Sequence, residues 1–474
     1  MTDSSQEIQL YAKRAAVVPR SIRGAFRTFK TGVLWLGFLI YFGLPWLPWS
    51  RPNAPSQSVL FDIPGRRFLI FDLTIHPQDI FLLSLLLFIA AAVLFFSTAL
   101  VGRAFCGYFC FQTLWTDAFI WLEHFIQGER PQRLKLAREP WRNRDKLLKV
   151  GLTRLAWLLV AFWTAMTFVL YFGHAPDLTT RFFTGQAPAA AYITVAALTL
   201  TTYIAAGLMR EHVCIFICPY GRFQSAMYDP ETLTVHYDRR RGEGTQGRKM
   251  ARTGLRTLAE RAAAGHGDCI DCGLCVQVCP VGIDIRDGLQ YKCISCGLCV
   301  DACDSIMDKM GWSHGLVRYD SETNLNRDQP AKVGLDWKRL KVAGWGLAVL
   351  LSVGWFAWSL GHKATFEHSV QQVRQPLFVT LSDGSIRNRY QIRLTNLSGA
   401  DQTYTLGARG LPEGALDLGN FERVTIKNEK SVVIQASVML SPADAARIQA
   451  FDFVIRSGAG DEVIDTASFF TRRN

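Results

Sequence analysis

The chain has 474 residues, 49% of them hydrophobic and 12% aromatic, with a net charge of +12. So apolar a composition excludes an ordinary soluble carrier. The excess base flanks apolar segments rather than forming a free-standing patch, which argues against a nucleic-acid partner and for contact with anionic membrane lipid.

In chain order, a basic arm (1–31) carries Lys13, Arg14, Arg20, Arg23, Arg27 and Lys30. The first of five windows long enough to cross a bilayer, a length of roughly 20 residues, is Gly32–Trp49. It lacks a small-residue cleavage site, which reads as a retained anchor, and Pro45 and Pro48 predict that its outer end unwinds. Ile80–Val101 has no charged residue and is the cleanest span. After it come Cys106-Gly-Tyr-Phe-Cys110 and then Trp115–Ile126, whose Trp115, Phe119, Trp121, Leu122 and Phe125 predict an interfacial amphipathic helix with an anchoring aromatic stripe. A loop rich in Arg and Lys between 130 and 149 precedes the spans Leu155–Phe172 and Ala189–Met209. A second pair, Cys214-Ile-Phe-Ile-Cys218-Pro219, closes a membrane domain drawn at 32–228.

A basic linker (229–265), partly helical near Thr253–Ala264, leads to the segment 266–310. There Cys269-Ile-Asp-Cys272-Gly-Leu-Cys275-Val-Gln-Val-Cys279 recurs 24 residues later as Cys293-Ile-Ser-Cys296-Gly-Leu-Cys299-Val-Asp-Ala-Cys303. The spacing C-x2-C-x2-C-x3-C is that of bacterial-type ferredoxins with two [4Fe–4S] clusters, in which the fourth cysteine of each run ligates the other cluster. Cys269, Cys272, Cys275 and Cys303 therefore form one predicted ligand set, and Cys293, Cys296, Cys299 and Cys279 the other. Zinc would need four ligands, not two interlocked quartets, and disulfides would need no exact duplication. Gly273 and Gly297 are expected to let the backbone approach the cluster. Asp304, where the pattern usually has proline, is expected to alter the local turn.

A second linker (311–341) and the fifth span, Val342–Leu360, follow. From 362 to 474 alternating runs such as Tyr390–Asn396, Arg423–Ile426, Ser431–Leu440 and Phe451–Ile455 predict an all-β antiparallel sandwich, without cysteine and suited to binding a partner. The fold class is thus an α-helical polytopic membrane protein with an inserted ferredoxin domain and a C-terminal sandwich. Base-rich loops alternate with base-poor ones: Arg51, Arg66 and Arg67 in one, Arg181 in the other. The positive-inside rule then puts the N-terminus and the ferredoxin segment in the cytoplasm of a bacterial inner membrane and the sandwich in the periplasm. Thiols stay reduced on the cytoplasmic side.

Both remaining cysteine pairs are spaced i, i+4, so on a helix each pair shares one face. All four follow spans that run inward, which places Cys106, Cys110, Cys214 and Cys218 at one membrane edge, where packed soft thiolates suit Cu(I) or a redox dithiol. The plain alternative is that these cysteines are small core hydrophobes. His212 could add a nitrogen ligand, although a lone histidine at a basic interface is more often a surface residue. Met209 and Met227 are weaker candidates.

These motifs resemble the cytochrome c oxidase accessory family called CcoG, FixG or RdxA. The resemblance rests on Cys106–Asp117, Cys214–Gln224, the Cys269–Cys272 run, Gly282–Cys293 and Asp301–Asp304, and it extends over nearly the whole chain, implying that the C-terminal sandwich is immunoglobulin-like. The family's membrane motif is C-x3-C-P: Pro219 fits it and Phe111 departs from it, while Asp304 agrees with the family. The resemblance implies a cupric reductase role in assembling cbb-type oxidases. Copper would be captured at Cys106, Cys110, Cys214 and Cys218, with an electron donor in the cytoplasm and oxidase assembly factors or a copper transporter as partners. Similar membrane ferredoxins of nitrate and nitrous oxide respiration leave a second reading open, electron transfer to a quinone or partner complex. A non-catalytic scaffold or redox sensor is a third.

Overall fold

The structure is a computed structural model. It describes all residues except 1–16, 52–54, 77–78, 252–253, 328–333, 335–336, 338, 363–364, 429 and 472–474. Lys13 and Arg14 of the basic arm, and Thr253, lie outside the described residues. The chain divides into two compact units, 1–356 and 357–474.

Five helices of the described residues are long and apolar enough to cross a membrane: Ala25–Trp46, Ile80–Val101, Arg144–Leu170, Ala189–Met209 and Leu340–Gly361. Their outward faces are apolar, with Leu39, Leu87, Leu159, Ile193 and Leu350 all more than half exposed, as lipid-facing residues should be. The first starts seven residues before its predicted window. Its α-helix stops at Gly43 and tightens to a 3₁₀ turn over Leu44–Trp46, where Pro45 can no longer donate to the ladder. The third starts eleven residues early, because Asn143 caps its N-terminus through the N–H of Asp145 and the charged first turns remain helical. The fourth is α-helical over Ala189–Thr202 and π-helical over Tyr203–Met209.

The helix Phe111–Gln127 corrects the reading of an interfacial anchor. Trp115 and Phe119 are buried, packing with Leu34, Trp157, Ala161 and Ala206 of three spans. Trp121 and Phe125 stay exposed. Only half of the stripe is therefore outward-facing; the other half is core. The acidic residues of the same helix are buried too, each beside two cations: Asp117 with Arg27 (2.9 Å) and Lys30 (3.5 Å), and Glu123 with Arg133 and Arg210. These pairings hold the helix among its neighbours and satisfy charges that would otherwise be costly to bury.

Both segments read as linkers carry structure. The strand Thr234–Tyr237 pairs antiparallel with Val317–Asp320, and the two bracket the cysteine runs in sequence and pack with them in one apolar cluster. Arg261, on the helix Leu258–Ala263, is wholly buried. It donates to the carbonyls of Gly267 (2.7 Å), Lys249 (3.0 Å) and Cys269 (2.8 Å) and lies over the Trp312 ring.

The second unit is a two-sheet β-structure. One sheet runs in the order Leu416–Asp417, Ser431–Leu440, Ile386–Asn396, Phe366–Gln372, with Val379–Thr380 also on the third strand. The other runs Arg423–Ile426, Gln402–Arg409, Ala450–Ser457, Glu462–Ser468. Alternate residues of Ile386–Asn396 are buried, and Tyr390, Ile392, Leu394, Tyr404, Ile434, Val438 and Phe453 form the core between the sheets. The alternating runs read from the sequence are all strands.

Candidate redox site

The two cysteine runs fold as near copies. In the first x2 gap of each run the second residue is left-handed, Asp271 at φ 50° and Ser295 at φ 48°. The glycine after the second cysteine is left-handed as well, Gly273 at φ 65° and Gly297 at φ 70°, and begins a short helix. This handedness, which glycine adopts without penalty, is the reason for the two glycines. A Cβ on Gly297 would in addition stand 2.6 Å from the Phe26 ring. After Cys279 the helix has ended and Pro280 follows, whereas Cys303 and Asp304 lie inside the helix Leu298–Met310. The first run thus turns at Pro280, and the second stays helical at Asp304. Asp304 prolongs a helix that proline would break, and its carboxylate accepts the Gly315 N–H at 3.2 Å.

Two partly open cavities result, their mouths included in the volumes given. Cys269, Cys272, Cys275 and Cys303 line one, of about 390 Å³ unfilled by protein atoms. Cys279, Cys293, Cys296 and Cys299 line the other, of about 360 Å³, which Cys275 also reaches. The walls are otherwise mostly apolar: Leu274, Ile306, Met307 and Val317 in the first, Val281, Ile283, Ile294 and Leu298 in the second. Burial pushes the thiols of Cys275, Cys303 and Cys293 up to about 12. Thiols buried in apolar surroundings ionise readily only against a cationic centre, so the donor sets fit iron–sulfur cubes. Among the described residues no three His, Cys, Asp or Glu side chains converge on one metal ion. The thiols surround space rather than grip a point.

The quartets differ in exposure. Cys272 is exposed, while Cys293 and Cys296 are buried. Beside Cys272, Arg286 pairs with Asp271 and Asp284, and its hydrogen bond to the Asp284 carboxyl holds that group below the usual carboxylate range.

The membrane pairs do not share helical faces as their spacing predicted. Cys106 lies in the helix Ala104–Tyr108, but Cys110 is extended (φ −66°, ψ 130°) and caps the next helix. Cys214 lies in the π-turn Val213–Ile217 and Cys218 is extended (φ −72°, ψ 112°), followed by Pro219 and another helix. The pairs are equivalent motifs, each a short turn, an extended cysteine and a new helix, so Phe111 occupies the place of Pro219 without changing the geometry. The four thiols lie within electrostatic reach of one another. Burial raises Cys106 to about 12 and Cys214 to about 11, the neighbouring thiols push the same way, and Arg103 opposes them. Arg103 is itself buried, its Nε donating to Gln224 Oε1 (2.9 Å), which also lies 3.4 Å from Cys106 Sγ. His212 is partly exposed; its Nδ1 lies 3.1 Å from the Met209 carbonyl and 3.7 Å from the Glu211 carboxylate.

Sequence reasoning did not foresee the contact between the two sites. Cys106 packs directly on the cluster containing Cys293, Cys296 and Ile294. A Cβ on Gly107 would stand 2.6 Å from the Ile294 carbonyl and 3.0 Å from Cys296 Cα, and Tyr108 Oη donates to the Cys296 carbonyl at 2.9 Å. The one available signal was a glycine between two cysteines, which on its own had no address.

Comparison with known proteins gives the same organisation. Residues 209–322 match a 4Fe-4S dicluster domain, 83–128 a 4Fe-4S binding domain, and 356–473 the IG-like fold at the C-terminal of FixG. Protein RdxA of Cereibacter sphaeroides is 43% identical over 85% of this chain and 84% of its own length. Protein RdxB of the same organism is 40% identical over 87% and 86%. Nitrogen fixation protein FixG of Rhizobium meliloti is 37% identical over 91% and 87%. A crystal structure of a FixG-related protein from Vibrio parahaemolyticus is 15% identical over 23% of this chain and all of that one, with a TM-score of 0.21. Two cysteine quartets, five apolar helices and a terminal sandwich, with identities of this extent, make the chain a member of the FixG/RdxA family of iron–sulfur electron-transfer proteins.

Proposed function

We propose that the protein is a membrane cupric reductase acting in cbb-type oxidase assembly. The observation that carries this reading is the close packing of Gly107 and Cys106 on the Cys293–Cys296 loop. Cys269, Cys272, Cys275 and Cys303 would hold one [4Fe–4S] cluster and Cys279, Cys293, Cys296 and Cys299 the other; when bound, they supply one-electron transfer. The chain's own residues set the direction. The exposed Cys272 edge, with Arg286 and its two carboxylates, faces a soluble donor, and the buried Cys296 edge faces the four membrane-edge thiols. Cu(II) is the substrate. It takes one electron to become Cu(I), which Cys106, Cys110, Cys214 and Cys218 retain because soft thiolates prefer the reduced ion. The loop charges support a cytoplasmic position for both centres and a periplasmic one for the sandwich, where it would dock the copper-accepting partner.

Cluster-loaded protein given a low-potential donor should convert Cu(II) to Cu(I) at one electron per ion. Failure to do so while the clusters visibly reduce and reoxidise would exclude the reading. The four-serine variant should lose copper and keep its iron. Copper added in excess should restore oxidase activity to a strain lacking the gene, whereas unrestored activity indicates a scaffold.

One observation favours a second reading of the four thiols. The 4Fe-4S match over 83–128 contains no cysteines other than Cys106 and Cys110. A loss of iron rather than copper from the four-serine variant would make them a third iron–sulfur site.

A further inference from the structure

A cavity of about 1290 Å³, its open mouth included, is lined by the helices Phe111–Gln127, Arg130–Arg138 and Arg144–Leu170 and by the end of the fourth span. Four of its side chains are cations, Arg133, Lys146, Arg154 and Arg210, and two are carboxylates, Glu123 and Glu211. Two positive charges are left over. Glu123 is shared by Arg133 and Arg210. Lys146 Nζ is held by the carbonyls of Ala137 and Glu139 at 3.0 and 2.5 Å, and by no carboxylate among the described residues. Arg154 is exposed, with no ion pair among the described residues, and lies 4.7 Å from the Trp157 ring.

The depth of these charges is informative. Arg154 immediately precedes the uninterrupted apolar part of its helix, and Arg210 immediately follows the end of the fourth span. Both guanidiniums contact the same Trp157 ring, Arg210 at 5.3 Å. They therefore lie at one level, where hydrocarbon gives way to headgroups. The remaining wall is mostly apolar, with Leu136, Trp141, Val150 and Leu208 beside Gln127, Thr153 and His212, and beyond it the exposed Leu155 and Leu159 continue along the span.

We propose that this cavity binds the phosphate of an anionic phospholipid, with the acyl chains lying along the exposed face of Arg144–Leu170. Surplus cations at headgroup level between membrane helices recognise phosphate, and the apolar wall selects a lipid over free phosphate. The bound lipid would tie together three helices next to the segment Glu211–Cys214.

Full-length protein is purified from nanodiscs of phosphatidylcholine alone or mixed with phosphatidylglycerol, and retained lipids are counted by native mass spectrometry. Wild type should keep one phosphatidylglycerol per chain in preference to phosphatidylcholine. Arg154→Gln should retain roughly fivefold less, the equivalent of about 1 kcal/mol for one basic residue near the surface. Arg154→Lys should restore retention, and Arg144→Gln, the same charge change outside the cavity, should behave as wild type. Iron content equal to wild type shows that each variant has folded. Equal retention of phosphatidylcholine, an unaffected Arg154→Gln, or a neutral quinone retained instead would overturn the proposal. Displacement of the lipid by inorganic phosphate alone would overturn the lipid as source.

Discussion

The carboxylate of Asp301 accepts the backbone N–H of Arg27 at 2.8 Å, and that of Phe26 at 3.2 Å. A residue of the cysteine-bearing helix Leu298–Met310 thus caps the first membrane span, whose own N-cap position, Gly24, supplies no side chain. A carboxylate at a helix N-terminus satisfies orphan donors and meets the positive end of the dipole. Asp301→Ala should cost about 1–3 kcal/mol, the range for leaving buried donors unpaired. Thermal unfolding of the detergent-solubilised protein reads this directly, with iron content unchanged.

Gly107→Val should separate the two redox sites without emptying either. The added side chain cannot fit 2.6 Å from the Ile294 carbonyl, so the backbones must part. Cu(II) reduction should fall while iron content and cluster absorbance stay at wild-type values. Loss of iron in this variant would place the glycine in cluster loading instead.

Arg261→Ala should be among the most damaging changes outside the cysteines. It removes a guanidinium that is wholly buried and leaves the carbonyls of Gly267, Lys249 and Cys269 without their donor. A loss of about 1–3 kcal/mol is expected for each buried acceptor left without its donor. Iron per chain after purification measures it, because Cys269 sits on the affected strand of chain.

Asp117 gives the stability an acid limit. Burial pushes its carboxyl up, but Lys30 and Arg27 outweigh burial and hold it below the ordinary value. A group depressed in the folded state contributes stability above its unfolded pKa, near 4 for aspartate, and loses it as the pH falls through the folded value. Melting temperature should therefore be insensitive to this group at neutral pH and fall below about pH 4. Asp117→Asn should be less stable at neutral pH and flatter in acid.

Legibility in the sequence followed range. The cysteine quartets, the five apolar windows and the alternating strands are patterns of neighbouring residues, and each was readable from spacing or composition. The i, i+4 pairs failed at the step from spacing to conformation, because Cys110 and Cys218 end one turn and start another. Buried ionic partners were out of reach for a different reason. Glu123 meets Arg210 from 87 residues away, and Asp117 meets Arg27 from 90, and a charged residue in an amphipathic pattern looks the same whether it faces solvent or a distant partner. Trp115 and Phe119 were misread likewise, since an aromatic stripe serves a bilayer and a helix bundle equally well.

The cap on the first span has a consequence for biogenesis. Residues 26 and 27 leave the ribosome long before residue 301, so the leading amides of the first helix at first have water in place of this carboxylate. Its entry end is completed only when the segment bearing the last cysteine has been made and folded back. Chains that fail to mature their iron sites would expose an unfinished helix end, a mark by which membrane quality control could sort them from finished ones.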